Sequence, residues 1–215
     1  HVERLNMLIE RCHAYGAKVC VQLSPGLGRQ QFTDPFTPPY SAGSVGAFWF
    51  PDLICKPFSK EDIHYLVEKV GYSASLAVNA GADCVELHAY GGYLLDQFHS
   101  VQWNNRTDEY GGSFENRIKY PMDVLKTVID EVNGEVPVQI RVSVDEYVDD
   151  GMKFEEVKTV CHVAKEMGVA SISLSAGCYD AVEYAIQPMF IPQGFIIPFA
   201  KELKAEIDIP VIVAA

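Results

Sequence analysis

Polar residues able to bind or stabilise a charged group stand at the ends of short apolar runs in this sequence. Gln22 closes one such run, His88 follows the next, Arg141 closes a third, and the segment Ser175-Ala176-Gly177 follows a fourth. An amide both donates and accepts hydrogen bonds, and a guanidinium is a fixed positive charge. Taken alone, Gln22 and Arg141 favour structural polar roles, so a chemical role depends on the elements that position them.

Apolar periodicity predicts helices alternating with short strands. The expected helices cover 2–15, a stretch from the capping Ser59 to Gly81, 115–132 with a late start or a kink at Pro121, 154–167 and 193–206. The expected strands cover 17–23, 83–87, 137–142, 170–174 and 210–214. This alternation favours βα units and a parallel sheet covered by helices. The loops that follow strands are long (24–57, 88–113 and 175–192), and function in such folds belongs at that edge.

Composition excludes several classes of function. With 17 Lys and Arg against 29 Asp and Glu, the formal charge is −12, and scattered acidic residues do not suit nucleic acid or an anionic membrane. The Gly26-Leu27-Gly28 run is followed by Gln31 and by prolines, which disfavours a dinucleotide-binding turn. The six cysteines are single, with no metal-like spacing, so we expect buried, reduced thiols and a cytoplasmic protein without a metal site. No apolar run is long enough to span a membrane.

One long segment is much more specific than these patterns. It reads VELHAYGGYLLDQF over 85–98 and continues as NRTDEYGGSFENR over 105–117. Together with VQL before Gly28-Arg29, IRVS over 140–143 and ISLSAG over 172–177, it resembles the Old Yellow Enzyme family of NAD(P)H:flavin oxidoreductases along essentially the whole chain.

The resemblance implies an FMN-binding (β/α)8 TIM barrel. By similarity, residues 1–215 correspond to about strands three to seven of that barrel, as a single domain with no second domain within the chain. The chain opens on His1 instead of Met and ends in an apolar strand, and a barrel of this type needs ~250 residues. We therefore expect a fragment, and whether this fragment alone binds FMN or is active stays open.

The resemblance also assigns roles to individual residues. Gln22 matches the amide that binds the flavin pyrimidine edge, and Arg141 matches the cation beside flavin N1 and O2. His88 matches the residue that holds the substrate carbonyl oxygen, and Tyr93 matches the proton donor to the α-carbon. A tyrosine with an ordinary pKa near 10 is protonated at neutral pH and can act as the acid.

The chain departs from the family pattern at Gly91, where a second His or Asn is expected. Two alternatives stay open: Tyr90 takes over that contact with the substrate, or the free space admits a bulkier substrate. The RTDEYGG block at 106–112 is expected to be a structural network, because its charges can pair with one another and its glycines permit tight turns.

The wording HAYGGYL is closest to the branch that includes 2,4-dienoyl-CoA reductases and bile-acid or steroid enone reductases. The expected function is reduction of an activated C=C bond in an enone or enoyl-CoA by NAD(P)H through FMN. A 4Fe-4S cluster and FAD are implied for a longer parent protein only. The alternatives are a non-catalytic barrel fragment, an amine dehydrogenase of the same family, and, less favoured by the motifs, another FMN barrel such as a dihydroorotate dehydrogenase. The substrate, the choice of NADH or NADPH, and assembly as a homo-oligomer stay open.

Overall fold

A computed structural model describes residues 2–32 and 34–213. In chain order the elements are α1 (Val2–His13), β1 (Cys20–Leu23), a 3-10 helix (Gly28–Gln30), β2 (Tyr40–Ser41), β3 (Lys56–Pro57), α2 (Lys60–Asn79), β4 (Cys84–Ala89), α3 (Leu94–His99), α4 (Phe114–Val132), β5 (Val138–Ser143), α5 (Phe154–Met167), β6 (Ser171–Ser175), a second 3-10 helix (Tyr179–Ala181), α6 (Val182–Ala185), α7 (Ile197–Glu206) and β7 (Val211–Val213).

The main sheet is parallel and singly wound. Its order is β1-β4-β5-β6-β7, so each strand pairs with the next strand of the sheet along the chain, and helices connect them. Adjacent parallel strands joined by helices form the wall of a (β/α)8 barrel. The expected α/β fold is confirmed, with the described residues forming an arc of such a barrel.

Side chains that alternate in direction along each strand give the sheet two different faces. Val85, Leu87 and Ala89 of β4 are fully buried in the main core, which fills the space between the sheet and its helices. Successive side chains of a strand point to opposite faces, so Glu86 and His88 lie on the other face, the interior of the barrel. Full burial of a Val or Leu side chain contributes roughly 1.5–3 kcal/mol. The core thereby fixes which polar side chains face inward.

Local signals account for the helix ends. Ser59 caps α2 in a capping box with Asp62, as its position before the acidic first turn predicts. Ser113 caps α4 by accepting a hydrogen bond from the Asn116 amide. α5 ends at Gly168, whose φ of 104° is a conformation that favours glycine. The Gly168 cap leaves only a short turn between α5 and the amino end of β6.

Several predicted boundaries are wrong. α4 begins at Phe114 and continues through Pro121, so that proline does not delay the helix. The segment 88–113 contains the buried helix α3, which its polar residues concealed. The predicted helix over 193–206 begins only at Ile197, β1 begins at Cys20, and the long loop over 24–57 holds a 3-10 helix and the paired strands β2 and β3. Residue 214 of the last predicted strand lies outside the described residues.

The cysteines differ from expectation in their exposure. Cys55, Cys161 and Cys178 are buried, but Cys20 is exposed, because β1 is an edge strand of the arc and its inward face is open. All six thiols are free.

Across 2–32 and 34–213, no helix combines the length and the apolar character needed to cross a membrane.

Candidate active site

The strand register brings the predicted residues to one edge of the sheet. His88 of β4 is the direct neighbour of Arg141 of β5, which in turn neighbours Ser173 of β6. Gln22 of β1 lies one row lower, beside Glu86. All of these side chains point to the inner face, since they alternate with residues buried against the helices. Residues from four separate strands therefore meet on the inner face of the barrel arc.

Gln22 is held by a polar row that crosses four strands. Its Nε2 donates to Glu86 Oε1 at 2.5 Å, and Gln139 Nε2 donates to Glu86 Oε2 at 2.5 Å. Ser171 Oγ donates to Gln139 Oε1 at 2.9 Å. Because Glu86 accepts one of the two N–H groups of the Gln22 amide, the amide oxygen of Gln22 remains to accept a hydrogen bond from a ligand, and the second N–H remains to donate one. Sequence reasoning missed Glu86 and Gln139, which become partners only through the register.

Arg141 is fixed in place by two neighbours. Its Nε and Nη2 both donate to Ser175 Oγ, at 2.9 and 2.7 Å. The ring of Tyr90 lies 4.5 Å from the guanidinium carbon, a cation–π contact. The positive charge is thus held on the inner face of the sheet, next to His88.

His88 is a neutral imidazole in this setting. The side chain is buried, and its Nδ1 has no hydrogen-bond partner among the described residues. Burial, followed by the positive charge of Arg141, lowers the pKa of His88 to about 4. A buried ring nitrogen without a partner is costly, so a ligand atom that bonds to it would relieve that cost.

Tyr93 stands beyond the strand end and close to His88. Their ring centroids are 4.9 Å apart, and the Tyr93 hydroxyl hydrogen-bonds with the Tyr179 hydroxyl at 2.8 Å. Burial, and then this hydrogen bond, raises the pKa of Tyr93. The phenol is therefore protonated at neutral pH. Tyr179, in the 3-10 helix after β6, was not predicted; the only sequence signal is its place in the long loop after that strand.

Gly91 and Gly92 form the turn between His88 and Tyr93. Both have a left-handed backbone, with φ values of 79° and 78°, and Gly91 forms a β-bridge with Cys178. A Cβ added at Gly91 would lie 3.5 Å from the Tyr93 ring, an ordinary contact distance. Position 91 therefore has space for a side chain, but its left-handed backbone favours glycine or asparagine.

Gln97 of α3 joins this turn to the loop after β1. Its Nε2 donates to Gly92 O at 2.5 Å and to Gln30 Oε1 at 2.8 Å, and its Oε1 accepts from Ser41 Oγ at 2.9 Å. From the same loop, Arg29 pairs with Asp180 at 2.6 Å. Loops that follow three different strands are thus linked around the site.

The RTDEYGG block is a structural network, as expected. Arg106 makes a two-point ion pair with Asp108, at 3.0 and 2.6 Å, and its Nη1 donates to the carbonyls of Ala42 and Phe58. Asp108 also accepts from the Tyr110 amide.

Within the described ranges, no group of three or more His, Cys, Asp or Glu side chains is arranged to hold a metal ion.

Comparison with known proteins identifies the family of this chain. The chain belongs to the NADH:flavin oxidoreductase / NADH oxidase family, which it matches over residues 1–214. The resemblance to Old Yellow Enzyme is thereby confirmed.

Two curated relatives carry informative names. The chain is 34% identical to a cinnamate reductase of Clostridium sporogenes, over 97% of this chain and 34% of that protein. It is also 34% identical to an NADH oxidase of Thermoanaerobacter brockii, over 95% of this chain and 32% of that protein. The chain therefore spans about a third of the length of these relatives.

Solved structures share the fold. The 2-naphthoyl-CoA reductase structure matches with a TM-score of 0.86 at 23% identity, covering 99% of this chain and 34% of that one. Histamine dehydrogenase from Rhizobium sp. 4-9 matches with a TM-score of 0.85 at 24% identity, covering 97% of this chain and 30% of that one. At these identities the likeness establishes the fold and leaves the chemistry to the site.

Proposed function

We propose that this chain is the catalytic barrel region of a flavin-dependent oxidoreductase that uses NAD(P)H to reduce an activated C=C bond. The observation that carries the proposal is the grouping of neutral His88, protonated Tyr93 and cationic Arg141 at one strand edge. The name of the cinnamate reductase relative supports it, since cinnamate carries a C=C bond conjugated to a carboxyl group.

The donor set fits a flavin. Gln22 presents an amide oxygen held from behind by Glu86, which suits a ring N–H, and Arg141 presents a fixed positive charge, which suits a ring carrying negative charge. The chemistry supplied by a bound FMN is hydride transfer, from NAD(P)H and onward to substrate carbon. Every residue in this set lies on a strand, so the scaffold keeps the donors in place.

His88 and Tyr93 divide the remaining work. The imidazole hydrogen-bonds the substrate carbonyl oxygen, and that bond withdraws electrons from the conjugated double bond, so the β-carbon becomes a better hydride acceptor. The Tyr93 hydroxyl supplies the proton to the α-carbon, and Tyr179 orients that hydroxyl through their hydrogen bond. Neutral His88 suits this role because its uncharged N–H can donate without holding a buried charge.

Amine oxidation is the alternative within the family. An amine substrate has no carbonyl oxygen for His88 to bind. The fold shared with histamine dehydrogenase does not distinguish amine oxidation from C=C reduction. We therefore favour enone or enoyl-CoA reduction. The family resemblance implies an FAD and 4Fe-4S redox region in a longer parent protein, and we extend the proposal to that region for the whole protein; the relatives are about three times as long as this chain and so have room for it.

The experiment is to purify the whole protein that carries this chain and record its visible spectrum and its NAD(P)H oxidation without oxygen, with and without 2-cyclohexenone or cinnamate. We expect bound FMN and oxidation that depends on the acceptor. A colourless protein that takes up no FMN on incubation would contradict the flavin assignment. Flavin reduction followed by turnover of amines, with none of the unsaturated acceptors, would favour the alternative.

A further inference from the structure

Two acidic side chains lie fully buried directly below the Gly92–Tyr93 turn. Asp96 belongs to α3 and Glu146 to the segment after β5, and neither side chain has any exposed surface. The Gly92 amide donates to Asp96 Oδ2 at 2.7 Å. Glu146 Oε2 accepts from Ser100 Oγ at 2.6 Å and from the Met152 amide at 2.8 Å. Each carboxyl group therefore uses one oxygen to anchor a different backbone segment.

The second oxygen of each group has no donor. Asp96 Oδ1 and Glu146 Oε1 are both buried and without a hydrogen-bond partner in the described part of the chain. Asp96 and Glu146 are neighbours in this buried interior, because Ser100 donates its hydroxyl to Glu146 Oε2 and its backbone N–H to the Asp96 carbonyl at 3.0 Å, and a side-chain hydrogen bond between the two carboxyl groups contributes to the pKa of each. Two ionised carboxylates cannot occupy such a position at low cost, whereas one proton held between them gives both orphaned oxygens a partner.

The groups around the pair do not neutralise it. Burial raises the pKa of both carboxyls and, for Glu146, the charge of Asp96 adds to this rise. The neighbouring His99 is buried, and burial followed by Arg117 lowers its pKa to about 3, so it carries no charge. Burial, with the nearby carboxyls acting in the same direction, raises the pKa of Cys178 to about 12. The basic side chains of the adjoining segments have acidic partners of their own: Arg117 pairs with Glu156, Lys153 with Asp145 and Arg29 with Asp180.

We propose that Asp96 and Glu146 share a single proton and that this pair is a positioning device, holding the Gly92–Tyr93 turn against the segment after β5. The hydrogen bond from the Gly92 amide to Asp96 ties the turn to one member, and the Met152 amide ties the following segment to the other. The thiol of Cys178 donates to the Glu146 carbonyl at 3.4 Å, which brings the loop of Tyr179 to the same point. The turn that carries Tyr93 is thereby bonded to the Asp96 carboxyl group, and the loop that carries Tyr179 is bonded to the backbone of Glu146.

The shared proton makes a sharp prediction for amide substitutions. In Asp96→Asn, the amide oxygen can accept from Gly92 while its NH₂ donates to Glu146, so every bond survives without the proton. Glu146→Gln likewise keeps its oxygen for Ser100 and Met152 and turns its NH₂ toward Asp96. The double variant Asp96→Asn/Glu146→Gln instead places two NH₂ groups face to face and cannot satisfy both anchors.

The test is hydrogen–deuterium exchange in the whole protein, followed in peptides that contain Gly92 and Met152. We expect each single variant to keep the wild-type protection within about threefold, and the double variant to lose roughly tenfold or more beyond the product of the single effects. If the double variant fails to fold while both single variants fold, that result also supports the shared proton. The proposal of a shared proton would be overturned if the loss of protection in the double variant equalled the product of the losses in the two single variants. It would also be overturned if either single variant lost protection completely.

The positioning role rests on the proposed function and has a separate readout. In the double variant we expect the rate of flavin reoxidation by an enone to fall at least tenfold relative to the single variants, with flavin reduction by NAD(P)H retained. Equal enone rates in the double and single variants would overturn the positioning role. A wild-type protein with no enone turnover would instead refute the proposed function, and it would leave the exchange result standing.

Discussion

His88 owes its character to its surroundings. It is 8% exposed and adjacent to Arg141, and both features oppose a second positive charge. A histidine that stays neutral down to pH about 4 cannot be the group that titrates near neutrality in this site. This separates the substrate-binding role proposed for His88 from the proton transfer proposed for Tyr93.

The pH dependence of stability should reveal this buried histidine. The pKa of His88 is lower in the folded protein than the ordinary value of about 6.5, so the unfolded chain binds its proton more tightly. The contribution of His88 to stability is therefore full above about pH 6.5 and is lost as the pH falls toward 4. Thermal unfolding measured across this range should show a smaller acid-side loss in His88→Gln, which cannot titrate. Equal losses in both proteins would contradict the burial argument.

Gly91 offers a test of the missing substrate contact. Its φ of 79° suits asparagine better than other side chains, and its added Cβ would clear the Tyr93 ring at 3.5 Å. We expect Gly91→Asn to fold with little loss and to raise turnover of small enones. Gly91→Ala, the matched control, should cost about 1 kcal/mol of stability through strain and bring no gain in turnover. If Gly91→Asn leaves small and large enones unaffected, position 91 is not part of the substrate contact.

The strands act as a unit through the row formed by Gln22, Glu86, Gln139 and Ser171. A carboxylate at position 86 accepts two amide N–H groups at once, one from each flanking strand. Hydrogen bonds to a charged group contribute roughly 1.5–3 kcal/mol, so this row both joins the strands and fixes the Gln22 amide. The flavin contact proposed for Gln22 thus depends on the register of three strands.

Replacing Glu86 by Gln should disturb that contact. The new NH₂ group would face one of the two amide donors, and Gln22 would lose its fixed orientation. We expect FMN affinity to fall about tenfold, measured by flavin titration of the stripped protein, together with a lower unfolding temperature. Ser171→Ala, at the far end of the row, is the control and should change affinity much less. Unchanged FMN affinity in Glu86→Gln would show that the row does not position Gln22.

The molecule as a whole follows the sequence where the signals are local. Strand and helix alternation, the Ser59 cap and the Arg106–Asp108 network could all be predicted, because apolar period, capping residues and paired charges act within a few neighbours. The site residues Gln22, His88, Tyr93 and Arg141 were identified by resemblance to a family, since taken alone their types do not distinguish chemical from structural roles.

Other features could not be read from the sequence, for a physical reason. The partnership of Gln22 with Glu86 arises from strand register, and that of Asp96 with Glu146 joins residues 50 positions apart in the buried interior. Helix α3 is buried on every residue, so it lacks the alternating apolar face that periodicity detects. The bond between Tyr93 and Tyr179 spans 86 positions and depends on how two loops meet at the barrel edge.

The central claim is that this barrel carries hydride-transfer chemistry in which Tyr93 supplies the proton. The most direct measurement is anaerobic stopped-flow of the whole protein and its Tyr93→Phe variant, with flavin reduction by NAD(P)H and reoxidation by 2-cyclohexenone or cinnamate followed separately. We predict that the variant is reduced at the wild-type rate, because that step needs no proton from Tyr93. Its reoxidation by the unsaturated substrate should be slower by roughly 10²–10⁴-fold. Equal reoxidation rates in the two proteins, or a wild-type protein whose reduced flavin no unsaturated acceptor reoxidises, would contradict this account.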